Sequence, residues 1–590
     1  MKPYSIYDYI SSQEALMNDQ VDVVDGWRWN FREHVNTSIL YKNGRLKTGN
    51  HDDKPVKNIV LPILNLEYRA EDIDVKDIQL YVDDPDQNYL SFFIKKYHDD
   101  VFVIENDVDT FIDEEKEEHI DLGGVLVKDV GEALPDIVRM QDIAFINQNN
   151  IIKNPIGIKH LFSPDQLKDM EDRGWGKAEN GATSTIDEVI ELANADKGDI
   201  LGQDIKVYEV HGVLPKSYLN DTGVEEKSYV RQFQVVTFYK DATGDRKGVK
   251  LFAKEEPKNI FKLFKRDNIY NRALGRGGVE ELFEDQVWTT YGRIHKKNLL
   301  DAASKMISWT NDETLSAKHP SGLKNLNNLE IITVADGKTL SQVDTYPRNI
   351  ALFDKWDLEL ETHARGTGGA QEAISGDAPV SGTPFRSLEL QTAESHSLHN
   401  YRIGKHAKFI EEMYYDWFIP YMSKEIKKGA KFLSELSMEE MQMVAEKIAT
   451  KQINDKQKEI ILSGQVVDPE MMIAEKAKLI EEWKKDGNKK FITILKDEIK
   501  DLPIKVKVNV SEKQKRMGIY VEKLTNVFRQ VIAAPQVLQD KNIANLFNKI
   551  LEASGLDPMD FSSQPQPVQM PQQTMQPNNN QPMPQSAIAQ

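Results

Sequence analysis

Gly366-Thr-Gly-Gly-Ala-Gln-Glu-Ala-Ile-Ser-Gly-Asp-Ala-Pro-Val-Ser-Gly-Thr-Pro384 runs directly into a stretch with no proline from Phe385 to Ile419. Five glycines in the first segment make it flexible and unable to build a core of its own. The second segment is amphipathic, and read as one helix over 387–426 it spans about 60 Å at 1.5 Å per residue. A helix that long is more than a small domain needs and suits a chain that crosses between layers of an assembly. Phe409, Met413, Trp417 and Tyr421 recur on it every fourth residue, with Ile410, Tyr414 and Phe418 beside them. Such stripes stay on one slowly drifting face and predict burial on two sides.

Outward from this stretch the chain is too long for one core. Its 590 residues suggest three to five domains. Lysine and arginine number 75 against 94 acidic residues, a net charge of −19. So acidic a chain does not clamp DNA over its whole surface, although an acidic wall can let DNA slide past. With no cysteine, disulfides, thiolate zinc sites and cysteine nucleophiles are excluded. No apolar leader and no membrane-spanning run is found, which predicts a protein made in the cytoplasm.

Towards the N-terminus, Trp27, Trp29, Phe31 and Val35 suggest a short helix before the turn at Asn43-Gly44. Asp113-Glu-Glu-Lys-Glu-Glu118 reads as a solvated face. Ser163-Pro164 and Ser184-Thr-Ile-Asp187 look like helix N-caps. Residues 205–256 switch to a period of two, with a turn at Asp241-Ala-Thr-Gly-Asp245, and predict an antiparallel β subdomain. A helix is expected from about Gly278 to Ser304, with Val279, Leu282, Phe283, Val287 and Ile294 on one face. A strand over 329–334, a turn at Ala335-Asp-Gly-Lys338 and a second helix from Pro347 to about Ala364 follow. Residues 430–560 read as helical and charged, with one strand-like insert, Ile504-Lys-Val-Lys-Val-Asn-Val510. From Phe561 to Gln590 there is no charged residue, which predicts a disordered Gln/Pro/Asn-rich tail.

Catalytic signatures are missing. There is no Walker A run, and the glycines at 275, 277 and 278 do not space as a dinucleotide fingerprint. Neither H-E-x-x-H nor G-x-S-x-G occurs. His396 and His399 have zinc-like spacing but no evident third ligand, so no metal is expected, and His396, His399 and His406 read as solvent-facing or inter-subunit residues. No cofactor and no catalytic residue is expected. Lys254, Lys258, Lys262, Lys265, Arg266, Arg272 and Arg276 read either as surface and interface charge or as a phosphate-facing patch.

The order of elements resembles the portal protein of a tailed double-stranded DNA bacteriophage. Local stretches that carry the resemblance are Tyr41-Lys-Asn-Gly44 followed by Lys54-Pro-Val-Lys-Asn-Ile-Val-Leu-Pro62, then Gly275-Arg-Gly-Gly-Val-Glu-Glu-Leu-Phe-Glu-Asp-Gln286, then Ser381-Gly-Thr-Pro384 before the long helix. The resemblance implies an α+β subunit with a mixed wing over 1–274, stem helices over 275–305 and 348–365, and a small mixed clip over 306–347. It further implies a tunnel loop over 366–384, a long wing helix over 385–429 and a mostly helical crown over 430–560. Tunnel-loop residues facing DNA would include Gly366, Thr367, Gly368, Gly369, Gln371, Ser375, Gly376, Ser381 and Gly382. Val279, Leu282, Phe283, Val287 and Ile294 would form the oligomer interface of the stem. The implied function is structural: a ring, usually of twelve copies, at one capsid vertex of the virion, assembled in the host cytoplasm. Double-stranded DNA would pass through it without sequence specificity, and terminase, head–tail adaptor and major capsid protein would be its partners. The alternatives are a DNA-processing enzyme, such as a nuclease or packaging ATPase, and another head–tail connector or minor capsid protein. The missing phosphate loop weighs against the ATPase.

Overall fold

A computed structural model describes residues 5–16, 21–24, 27–45, 56–82, 94–95, 97–146, 148–177, 184–197, 204–220, 228–240, 246–304, 308–318, 334–342, 350–368, 397–428, 438–464, 469–486 and 504–508. The fold is mixed α+β, and every strand pairing among the described residues is antiparallel.

The predicted β subdomain supplies three consecutive strands, from one edge to the middle, of a five-stranded sheet. Its order is Arg246–Glu255, Tyr229–Lys240, Ile205–Pro215, Ile156–Phe162, Ile143–Ala144. The last two strands come from upstream of the expected boundary. Both faces are covered. Val207, Val235 and Leu251 pack under helix Ile186–Lys197, and Tyr208, Val210 and Val236 pack under helix Ile6–Leu16. Strand 205–215 therefore buries nearly every residue, where a one-sided sheet would alternate. Ser163 closes a capping box with Gln166, as its sequence position suggests.

Near the N-terminus, Trp27 and Trp29 belong to a strand paired with Val21–Val24, not to a helix. The helix starts at Phe31, where the Asn30 side chain accepts from the Glu33 N–H and outcompetes helix extension backwards.

The expected helix over 278–304 is two helices, Gly278–Glu281 and Phe283–Ala303. The second packs along Ile350–Thr367. Between these paired helices, Ser308–Thr310 pairs with Leu340–Gln342, and Glu313–Lys318 is helical. Gly337 takes the left-handed conformation (φ +75°) in the turn that sequence suggested at 335–338. The strand expected over 329–334 lies almost wholly outside the described residues.

The long helix is described from Ser397 to Met413, passes through one π-helical turn over Tyr414–Phe418, and continues over Ile419–Lys428. Its start over 387–396 lies outside the described residues. So does the tail over 561–590, with the rest of the chain beyond Val508. The strand Ile504–Val508 pairs with Ile78–Val82, far upstream, with Val506 opposite Leu80. Val506 and Val508 share a core with the long helix and with Ile448 and Ala449 of helix Met438–Leu462. Those parts of the expected crown are thus packed into the same core as residues of the expected wing.

Candidate functional site

Two features concentrate chemistry: a buried polar network where the long helix docks, and the paired helices that leave from beside it.

The junction begins with close-packed glycines. A Cβ on Gly277 would meet the carbonyl oxygen of Asp121 and lie 2.7 Å from the Gly123 nitrogen. A Cβ on Gly275 would lie 2.5 Å from the Asp267 carbonyl. Gly275-Arg-Gly-Gly278 is thus a backbone contact, not a phosphate cradle, and it seats the root of the paired helices on the end of helix Val108–Leu122.

Around that seat lie charges that sequence placed on the surface. Arg266 is fully buried and donates to Glu67 at 2.9 Å and to Glu71 at 2.6 Å. Arg402, on the long helix, donates to Asp267 at 3.0 Å through Nε and to Glu281 at 2.8 Å. His399 Nδ1 meets Glu71 at 3.0 Å. Two turns further along, His406 pairs with Glu115, and the His119 ring lies 4.5 Å from the His406 ring, tilted by 56°. Arg272 is likewise buried, bonded to Glu280 at 2.7 Å and stacked on Trp29. A guanidinium buried between carboxylates has no surface to offer a phosphate. This overturns the phosphate-facing reading for Arg266 and Arg272. It also overturns the solvent-facing reading for His399 and His406, and the solvated face for Glu115 and Lys116. Lys262 bonds to Asp416 at 2.5 Å, and Lys258 to Asp129 at 3.5 Å.

Burial and charge oppose each other here. Burial raises Glu67 to about 7 despite Arg266. Burial pushes Glu71 the same way, but Arg266, His399 and Arg402 outweigh it and hold the carboxyl down at about 2. Glu115 is held at about 2, its burial outweighed by His406 and His119. Burial pushes the His119 imidazole below its ordinary value, against the pull of Glu115.

The paired helices carry the expected interface residues, but not as expected. Val279 and Leu282 are wholly buried against Leu64 and Ile120 in the chain's own core, which leaves no surface for a second copy. The Phe283 ring meets that of Tyr41 at 4.6 Å between centres, tilted by 50°, and Val287 packs against the same core. Ile294 is half-buried. Phe283 keeps an exposed edge, and beside it the exposed apolar groups include Trp288, Tyr291, Leu300, Leu352, Trp356 and Leu358. Trp288, Tyr291, Phe353 and Trp356 line a groove of about 380 Å³ between the two helices. Their helical spacing was readable, but which side faced inward depended on where helix Val60–Ala70 packs.

Of the expected tunnel-loop residues, Gly366 and Thr367 end the second paired helix. Gly368, in the turn that closes that helix, is buried close to Ile63 and Glu67, so it is a packing position. Gly369, Gln371, Ser375, Gly376, Ser381 and Gly382 lie outside the described residues. On the long helix, Phe409 and Met413 are buried, whereas Trp417 and Tyr421 are half-buried against the core. Trp417 lies under Lys262, 5.4 Å from ring centre to ammonium. No described helix is long and apolar enough to cross a membrane.

No protein-family model and no curated protein matches the chain. Among solved structures, a chain from the virion of a native gene transfer agent particle is 8% identical, covering 80% of this chain and 99% of its own, at a TM-score of 0.29. A chain from the neck of an empty gene transfer agent particle is also 8% identical, covering 79% and 98%, at a TM-score of 0.31. Such low TM-scores leave function to be argued from this chain's own residues.

Proposed function

We propose that this chain is a structural subunit of a portal-type ring, through which viral DNA enters and leaves a capsid. The observation that carries this reading is the antiparallel helix pair, Phe283–Ala303 and Ile350–Thr367, with its exposed Trp288, Tyr291, Leu352, Trp356 and Leu358. Apolar groups so grouped favour a second surface, and a head-to-tail contact between copies closes into a ring when its rotation divides the full turn. In this reading the paired helices are the stem, and the small module holding Ser308–Thr310 and Leu340–Gln342 is the clip. That clip meets the terminase during packaging and the head–tail adaptor afterwards. The residues after Gly368 supply the loop nearest the DNA, and major capsid protein surrounds the wing. The ring acts as a conduit and does no bond chemistry. In this reading the second stem helix extends through Thr367, so the tunnel loop begins after Gly368 and not at Gly366.

The test is the mass and image of the purified full chain at micromolar concentration. Closed rings with a central hole, most simply of twelve copies, are expected. A monomer stable across a wide concentration range sinks the proposal. Metal-dependent DNA cleavage by the pure protein would move it to the enzyme class.

A further inference from the structure

The geometry points to a divalent transition-metal site, of the class that takes zinc, formed by Glu115, His119 and His406. Glu115 and His119 lie four residues apart on helix Val108–Leu122, so they share one face. His406 reaches them from the long helix, 291 residues after Glu115 in the sequence. One ligand atom from each lies within 4.8 Å of the other two, and all three residues are buried. Two imidazoles and one carboxylate are a donor set that zinc accepts, with a water in the remaining position.

The cluster also has capacity to spare. Glu115 Oε1 and His406 Nδ1 are buried without a hydrogen-bond partner among the described residues. His119 Nδ1 lies 3.0 Å from the Glu115 carbonyl, which can only accept, so this nitrogen carries the proton and Nε2 keeps its lone pair. A backbone hydrogen bond on one ring nitrogen is the kind of outer contact that orients a metal-binding histidine. Phe264 packs against both imidazoles and helps fix their ring orientations. An ion here would staple helix Val108–Leu122 to the long helix, and the ring function proposed above does not require it.

The test uses the full chain, freed of metal with a chelator and titrated with Zn²⁺, then with Co²⁺. About one equivalent of Zn²⁺ per chain is expected, with the visible absorption of low-coordinate Co²⁺. Glu115→Gln, His119→Gln and His406→Gln should each weaken binding by about tenfold or more, whereas His295→Gln, on a distant helix, should not. Zinc-edge absorption of the wild-type chain should show two imidazoles, and this reading holds even if the variants fail to fold. Uptake well below one equivalent overturns the site. So does an ion shell without histidine, or unchanged binding in all three cluster variants. Because neither readout depends on oligomerisation, failure here leaves the ring proposal standing.

Discussion

Glu67 and Glu71 sit one helical turn apart against a single guanidinium, yet they are driven in opposite directions. Glu71, held at about 2 in the fold against an ordinary 4.5, contributes stability that is present above pH 4.5 and lost as pH falls towards 2. Glu67, raised to about 7, has the opposite sign: its contribution is present below 4.5 and lost as pH rises through 7. Urea midpoints measured across this range should therefore fall on both sides. Glu67→Gln should flatten the decline between pH 4.5 and 7, while Glu71→Gln should lower the midpoint and flatten the acid limb. An unchanged neutral limb in Glu67→Gln would show that Glu67 ionises normally. The junction glycines make a second case. Gly277→Ala forces a methyl onto the Asp121 carbonyl and Gly123 nitrogen, which are backbone and cannot swing aside. Overpacking of this kind costs roughly 1–3 kcal/mol, and the thermal midpoint of the purified variant should drop accordingly.

Along the long helix, spacing and burial part company at the π turn. An α-helix advances by about 100° per residue, so four-residue steps drift by about 40° each. The wider turn over Tyr414–Phe418 takes part of that drift back and keeps Ile410, Tyr414, Phe418 and Met422 pointed at the core. The Tyr414 hydroxyl is 2.8 Å from His98 Nε2, which fixes the turn against the neighbouring helical segment. The neighbouring stripe ends half-buried at Trp417 and Tyr421. Phe418→Ala should therefore cost about 3–5 kcal/mol, and Trp417→Ala clearly less, by chemical denaturation of the same preparation. Equal costs would mean that Trp417 is covered by something beyond this chain.

For the assembled protein, the discriminating residues are those that the monomer leaves uncovered. Trp288→Ser and Trp356→Ser remove exposed rings from the paired helices and touch little of the monomer core. Each should leave the monomer's stability within about 0.5 kcal/mol. Both should reduce ring yield in gel filtration and in negative-stain images, and the double variant more than either. Full ring yield from the double variant would place the subunit contact elsewhere on the chain.

Much of this architecture was legible from local pattern. Period-two alternation marked the β subdomain over 205–256, helical spacing marked the two paired helices, and Ser163-Pro164 marked a cap, because each signal is carried by neighbours in sequence. The remainder was set by partners hundreds of residues away. Strand Ile504–Val508 found its place only through Ile78–Val82, and the five-stranded sheet gained its edge from Ile143–Ala144. His399, His406, Arg266 and Arg272 carry polar side chains that look alike whether solvated or paired. Burial became their state because Glu71, Glu115, Glu67 and Glu280 arrive from other elements to meet them. Likewise Val279 and Leu282 were readable as apolar, but whether they faced a second copy or their own core was decided by where helix Val60–Ala70 came to rest. Periodicity reports what a face is made of, and packing alone reports what covers it.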